Sequence, residues 1–148
     1  MKEKIIKSAE KIINESVKAN VAVAVIDDNG FPNASTYMIA KADGIKWLTF
    51  CTSLSRDIVK KIRKNNKASV CINSNTYNFT LVGRFEILTD SETKKDNWHQ
   101  GFEAHWSSFE APEYCVLKFT TERYNLFDMD VTYEVEAKGT IENTQLKQ

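Results

Sequence analysis

The stretch VAVAVIDDNGFPNASTYMIAKADGIKWLTF, residues 21–50, sets apolar runs between turn signals. VAVAVI (21–26) has the composition of a buried strand. DDNG follows, and Asn29-Gly30 is the dipeptide a tight hairpin needs, because both residues tolerate positive φ. Residues 32–40 then read as a second strand, 42–44 as the next turn and 45–51 as a third strand. Turns this short join only antiparallel neighbours, since a parallel pair needs a crossover of about a dozen residues or more.

Working outward, Ile5, Ile6, Ala9, Ile12, Ile13 and Val17 recur at helical spacing and predict an amphipathic helix over 2–18. Its apolar face needs a partner, so the helix must cap or flank the sheet. A short helix over 55–64 places Ile58, Val59 and Ile62 on one face and Lys60, Lys61 and Lys64 on the other. Strands follow at 68–72 and 77–88, the second interrupted by Gly83, which signals a bulge, a bend or a close backbone approach. Thr89 and Glu92 have capping-box spacing and predict a helix over 91–106. Strands are expected at 114–119 and, from the alternation of Phe127, Met129, Val131, Tyr133 and Val135, at 127–135. Six or seven strands with few helices predict a mainly β (α+β) domain over residues 1–137, an antiparallel sheet closed or nearly closed on itself. Residues 138–148 read as a polar, flexible tail.

Twenty basic and twenty acidic residues cancel, which removes any global electrostatic argument for nucleic acid or an anionic membrane. No apolar run approaches bilayer length, and the charged N-terminus does not resemble a signal peptide. Cys51, Cys71 and Cys115 lie in apolar stretches without CxxC spacing and read as buried free thiols. The expected location is the cytoplasm. His99 and His105, six apart, miss the helical spacing for a shared metal, and no metal site is assigned. Trp98, Phe102, His105 and Trp106 read as a packed helix face in preference to a ligand wall.

The chemistry concentrates in TFCTSLSRDIVKKIRKNNKASVCI, residues 49–72. Here a strand ends in Thr52, Ser53, Ser55 and Arg56 where a helix begins. A helix start presents unpartnered amides and the positive end of its dipole, and hydroxyls plus a guanidinium would complete an anion site. The competing reading is plain capping, with Ser55 as N-cap and Asp57 facing the dipole.

The order DDNGFPNASTYMI, DGIKWLTFCTSLSRDIVKKIRKNNKASVCI, YNFTLVGRFEILTD and YCVLKFT resembles the pyridoxamine 5′-phosphate oxidase-like FMN-binding split-barrel family, over about residues 5–127. The resemblance implies a Greek-key split barrel, a homodimer, and FMN in a groove between subunits. It implies that Ser35, Thr36, Tyr37 and Met38 line the flavin ring, that Phe50, Cys51 and Thr52 face ring and ribityl chain, and that Ser55 and Arg56 hold the phosphate with help from Lys60 or Lys61. The implied activity is an FMN-dependent oxidoreductase using a small-molecule substrate or an electron donor such as NADH or NADPH. No catalytic side chain is implied, because the flavin carries the electron chemistry. The alternative is a non-catalytic flavin- or haem-binding dimeric module. The chain departs from the oxidase proper at three places: about Ser35 stands where that enzyme has an arginine, Arg56-Asp57 replaces its basic pair, and its C-terminal substrate segment has no counterpart.

Overall fold

The computed structural model describes residues 2–130, 136–144 and 146. Its strands are β1 (Asn20–Ile26), β2 (Pro32–Met38), β3 (Lys41–Asp43), β4 (Trp47–Ser53), β5 (Lys67–Asn73), β6 (Tyr77–Leu88), β7 (Tyr114–Asp128) and β8 (Glu136–Thr140). Its α-helices are α1 (Lys2–Glu15), α2 (Asp57–Lys64) and α3 (Ser91–Asp96). All pairings are antiparallel, in the order β2-β1-β5-β6-β7-β4-β3, with β8 on the far stretch of β7. Strands β5, β6 and β7 lie side by side in chain order, β5 and β6 joined by a hairpin and β6 and β7 by a long connection that carries α3. Strand β4 returns beside β7 to form the Greek key the resemblance implies.

The sheet curls into a half-barrel without a ladder between β2 and β4, so it stays split along that seam. Inside lie Val21, Val23, Val25, Leu48, Phe50, Val70, Phe79, Leu81, Phe85 and Phe119. The hairpin at 27–30 forms as expected: the Asp27 carboxylate accepts from the amides of Asn29 and Phe31, both at 2.9 Å, and Gly30 takes φ +81°.

Helix α1 closes one end of the barrel by burying Ile5, Ile6, Ala9 and Ile13. Each buried isoleucine contributes about 1.5–3 kcal/mol. Asn14 accepts the Gly44 amide (2.7 Å) and Glu10 the Ile45 amide (3.2 Å), which fixes the helix over the β3–β4 turn. The Ser8 hydroxyl donates to the fully buried Asp128 at 2.7 Å.

Several elements differ from the sequence reading. Residues 41–43, read mostly as turn, form the short β3 against β4, and the turn itself moves to Gly44 and its neighbours. The strand read over 114–119 runs on to Asp128, because β6 is long enough to pair with it throughout. The bulge signalled by Gly83 lies across the ladder: Val82 pairs Arg123 and Gly83 pairs Thr121, so Glu122 is the extra residue. A β-carbon on Gly83 would lie 1.9 Å from the Thr120 carbonyl oxygen, so only glycine fits the contact.

Residues 138–140, read as tail, belong to β8, and Ile141 and Leu146 pack against the core. Met129 and Asp130 turn away from β7, and the rest of the strand expected at 127–135 lies outside the described residues. The helix expected over 91–106 ends at Asp96. Its cap is Asp90, whose carboxylate accepts the Thr93 amide, and not Thr89. Asn97 terminates it by donating its side-chain amide back to the Thr93 carbonyl at 2.9 Å. Gly101 then turns the chain at φ +101° into a short 3-10 turn, Phe102–Ala104.

Candidate functional site

A groove of about 850 Å³ opens at the split between β2 and β4. That is near the top of the roughly 300–1,000 Å³ usual for small-molecule sites. The end of β2 supplies Thr36, Tyr37 and Met38; the end of β4 supplies Cys51, Thr52 and Ser53; Ser55 and Arg56 follow at the start of α2. The opposite wall is the segment after α3, with His99, Gln100, Gly101, Phe102, His105 and Trp106, and Lys18 and Asn20 complete the lining.

Seven of the eleven residues proposed from the sequence therefore meet in one groove. The other four sit elsewhere. Phe50 is 1% exposed and packs edge-on between Tyr37 and Phe85, so its side chain belongs to the core. Ser35 and Lys61 line a smaller adjoining cavity of about 180 Å³, which shares Tyr37 and Arg56 with the groove. Lys60 reaches the Asp57 carboxylate at 3.8 Å across an exposed helical turn.

The capping reading of Ser55 does not hold. The N-cap of α2 is Arg56, in extended conformation (φ −72°, ψ 148°), and no side chain caps the helix. The first-turn amides keep their anion-binding capacity next to an exposed guanidinium. Asp57 is 85% exposed, so its repulsion of an anion is screened by water.

The aromatic wall is held rigidly. Trp106 donates its indole N–H to Ser53 at 2.9 Å and stacks at 4.9 Å, tilted, on Tyr114. Trp98 and Phe102 join the same cluster. Below it, the buried Thr49 hydroxyl donates to the Asn97 side chain, and the Cys51 thiol lies 3.7 Å from the Asn97 carbonyl and 3.4 Å from the Tyr114 hydroxyl. The Tyr114 proton goes to the Lys94 carbonyl at 2.8 Å. Burial pushes the Cys51 thiol up to about 12, against a smaller lowering by Tyr114, and pushes Tyr114 upward as well. Burial likewise takes Cys115 to about 11. Cys51 is thus a neutral thiol in the floor of the groove and no nucleophile. Cys71 is half-buried on the outer sheet face.

Sequence reading assigned these wall residues to a helix face because Trp98, Phe102, His105 and Trp106 are spaced for one. Gly101, between them, is the signal that the segment is a turn.

The sequence model of the family described as pyridoxamine 5′-phosphate oxidase matches residues 10–128, spanning β1 through β7. The chain belongs to the pyridoxamine 5′-phosphate oxidase-like family. Among solved structures, it is 30% identical to a protein from Clostridium acetobutylicum related to general stress protein 26, of the pyridoxinephosphate oxidase family, with a TM-score of 0.77 over 96% of this chain and 97% of that one. It also shares the fold of a pyridoxamine 5′-phosphate oxidase-related, FMN-binding protein from Nostoc punctiforme (14% identity, TM-score 0.62, 92% and 85% covered). A haem-binding protein from Mycobacterium smegmatis has the fold too (18% identity, TM-score 0.67, 91% and 58% covered). No curated protein sequence matches the chain. Among the described residues no helix is long and apolar enough to cross a membrane, and no group of side chains is arranged to hold a metal ion.

Proposed function

We propose that this chain binds FMN in the groove at the split and acts as an FMN-dependent oxidoreductase. The observation that carries the reading is the convergence of β2, β4 and the uncapped start of α2 on one groove. Ser55, Arg56 and the first amides of α2 suit the phosphate. Tyr37, Met38 and the backbone of 51–52 suit the ring edge. When bound, the flavin supplies the two-electron chemistry; the chain binds it, orients it and excludes water. NADH or NADPH is the electron donor we propose, with a small-molecule substrate. The test is an absorption spectrum after mixing with FMN and gel filtration, followed by addition of NADH or NADPH. A retained flavin band that bleaches supports the enzyme; a retained band that never bleaches leaves a flavin holder.

We also propose that the active unit is a homodimer. At the centre of the outer face of β1, β5 and β6, Ala22, Ala24, Ser69, Cys71, Thr80 and Val82 are uncharged and have no layer over them among the described residues, with Lys67 and Arg84 at one end. Beside Thr80 on the same face, the Asn125 side-chain oxygen is buried yet has no partner among the described residues. A second copy would cover this face, and Thr36, paired with Ala22 at its edge, would carry the contact to the groove.

A second reading, a non-catalytic haem-binding module, draws on one observation: His105 is exposed on the groove wall, where an imidazole could ligate iron. A Soret band on adding haem, with no flavin retained, favours it.

A further inference from the structure

The wall opposite Arg56 has a feature that a phosphate site leaves unused. His99 places Nε2 at 2.7 Å from the carbonyl oxygen of Ala40. A carbonyl only accepts, so Nε2 carries the proton. In the neutral ring the other nitrogen, Nδ1, is then an acceptor, and it has no hydrogen-bond partner among the described residues. His99 lines the groove and meets Phe102 edge-on at 5.5 Å. Phe102 meets Trp106 edge-on at 5.6 Å, and Trp106 is anchored to Ser53.

The chain leading to the ring is also anchored. Asn97, 4% exposed and bonded to Thr49 and Thr93, fixes the chain two residues before it. Partly exposed aromatic rings set edge-on to one another, beside one anchored acceptor, suit an aromatic molecule that packs on a ring face or edge and carries one donor.

We propose that His99, Phe102 and Trp106 form a second ligand subsite in the groove, for a planar aromatic molecule bearing an O–H or N–H donor. The rings take the aromatic face, and His99 Nδ1 accepts the donor. A quinol, the two-electron, two-proton reduced form of a quinone, belongs to this class. Its residues line the same groove as Ser55 and Arg56. The subsite deepens the flavin reading in function, but its chemistry is testable without the flavin.

The experiment is equilibrium dialysis at pH 8 with two probes of the same ring, 1-naphthol and 1-methoxynaphthalene, which lacks the donor. Wild-type protein should bind 1-naphthol roughly three- to tenfold tighter, the worth of one hydrogen bond. His99→Gln retains an amide donor for Ala40 and removes the Nδ1 acceptor, so it should bring the two probes to equal affinity. Phe102→Ala should weaken both. Adding FMN to the wild type should leave 1-naphthol bound. Equal affinity of the two probes for wild type overturns the subsite, and needs no variant to fold. Displacement of 1-naphthol by FMN also overturns it, since the wall would then hold the flavin itself. Absence of FMN binding with the naphthol preference intact would sink the flavin reading and leave the subsite standing.

Discussion

Cys51 shows how one residue's role is set by what surrounds it. In sequence it sits between Phe50 and Thr52, at the point where a reactive thiol near a ligand would be easy to imagine. In the fold, burial raises its pKa to about 12 and leaves almost no thiolate near neutrality. Iodoacetamide at pH 8 should therefore leave Cys51 unmodified in the folded protein and label it in urea; rapid labelling of the folded protein would contradict its burial. Cys51 and Cys115 both hold their protons where unfolded thiols lose theirs. The folded state then binds more protons than the unfolded one, so their contribution is complete below about pH 8.5 and is lost as pH rises toward 11–12. A urea midpoint that stays constant from pH 7 to 8 and falls above pH 9 is expected. At this scale the sequence was legible where a residue acts through the backbone around it, as with Gly30, whereas the bonds from the Asp27 carboxylate came only with the fold. Phe50 was harder to place: strand alternation puts it on the face opposite Cys51, and only the curl of the sheet decides which face is core.

At the scale of elements, two supports decide the groove's shape. Asn97 ends α3 and joins it to β4 through Thr49. Asn97→Ala leaves the buried Thr49 hydroxyl without this acceptor and should cost about 1–3 kcal/mol. Amide exchange should quicken across 98–106, and unchanged protection there would show that the wall is held by its aromatic packing alone. Gly83 admits the Thr120 carbonyl, and Gly83→Ala should cost about 1–3 kcal/mol by overpacking, read as a lowered Tm. An unshifted Tm would mean that the bulge at Glu122 relaxes freely. Long strands and the Asn-Gly hairpin were legible because period and turn chemistry are local. The end of α3 was not. Helical spacing continues through Trp98, Phe102 and Trp106, and the element is cut short by a long-range bond from Asn97 to Thr49. β3 and β8 were missed for a related reason: each is short and polar, and owes its strand geometry to the neighbour it pairs with.

At the scale of the molecule, the split in the barrel is the organising feature, because it sets strand ends, a helix start and an aromatic turn around one space. The open sheet face beside it gives a direct test of assembly. Wild-type protein should elute in gel filtration at twice the chain mass of 16.9 kDa, and Ala24→Glu, a charge on that face, should elute as a folded monomer. A monomeric wild type would contradict the proposed homodimer. The Ser55–Arg56 end left two readings open in the sequence, an anion site or plain capping, because hydroxyls at a helix start serve either, and the structure leaves that helix start without a side-chain cap. The central claim is that this end holds the phosphate of FMN. It is tested most directly by flavin fluorescence titration of wild type against Arg56→Ala, with melting curves to compare folding. Loss of one charge-assisted contact, about 1.5–3 kcal/mol, predicts roughly ten- to a hundredfold weaker FMN binding at unchanged Tm. Equal affinity in the two proteins would contradict the account.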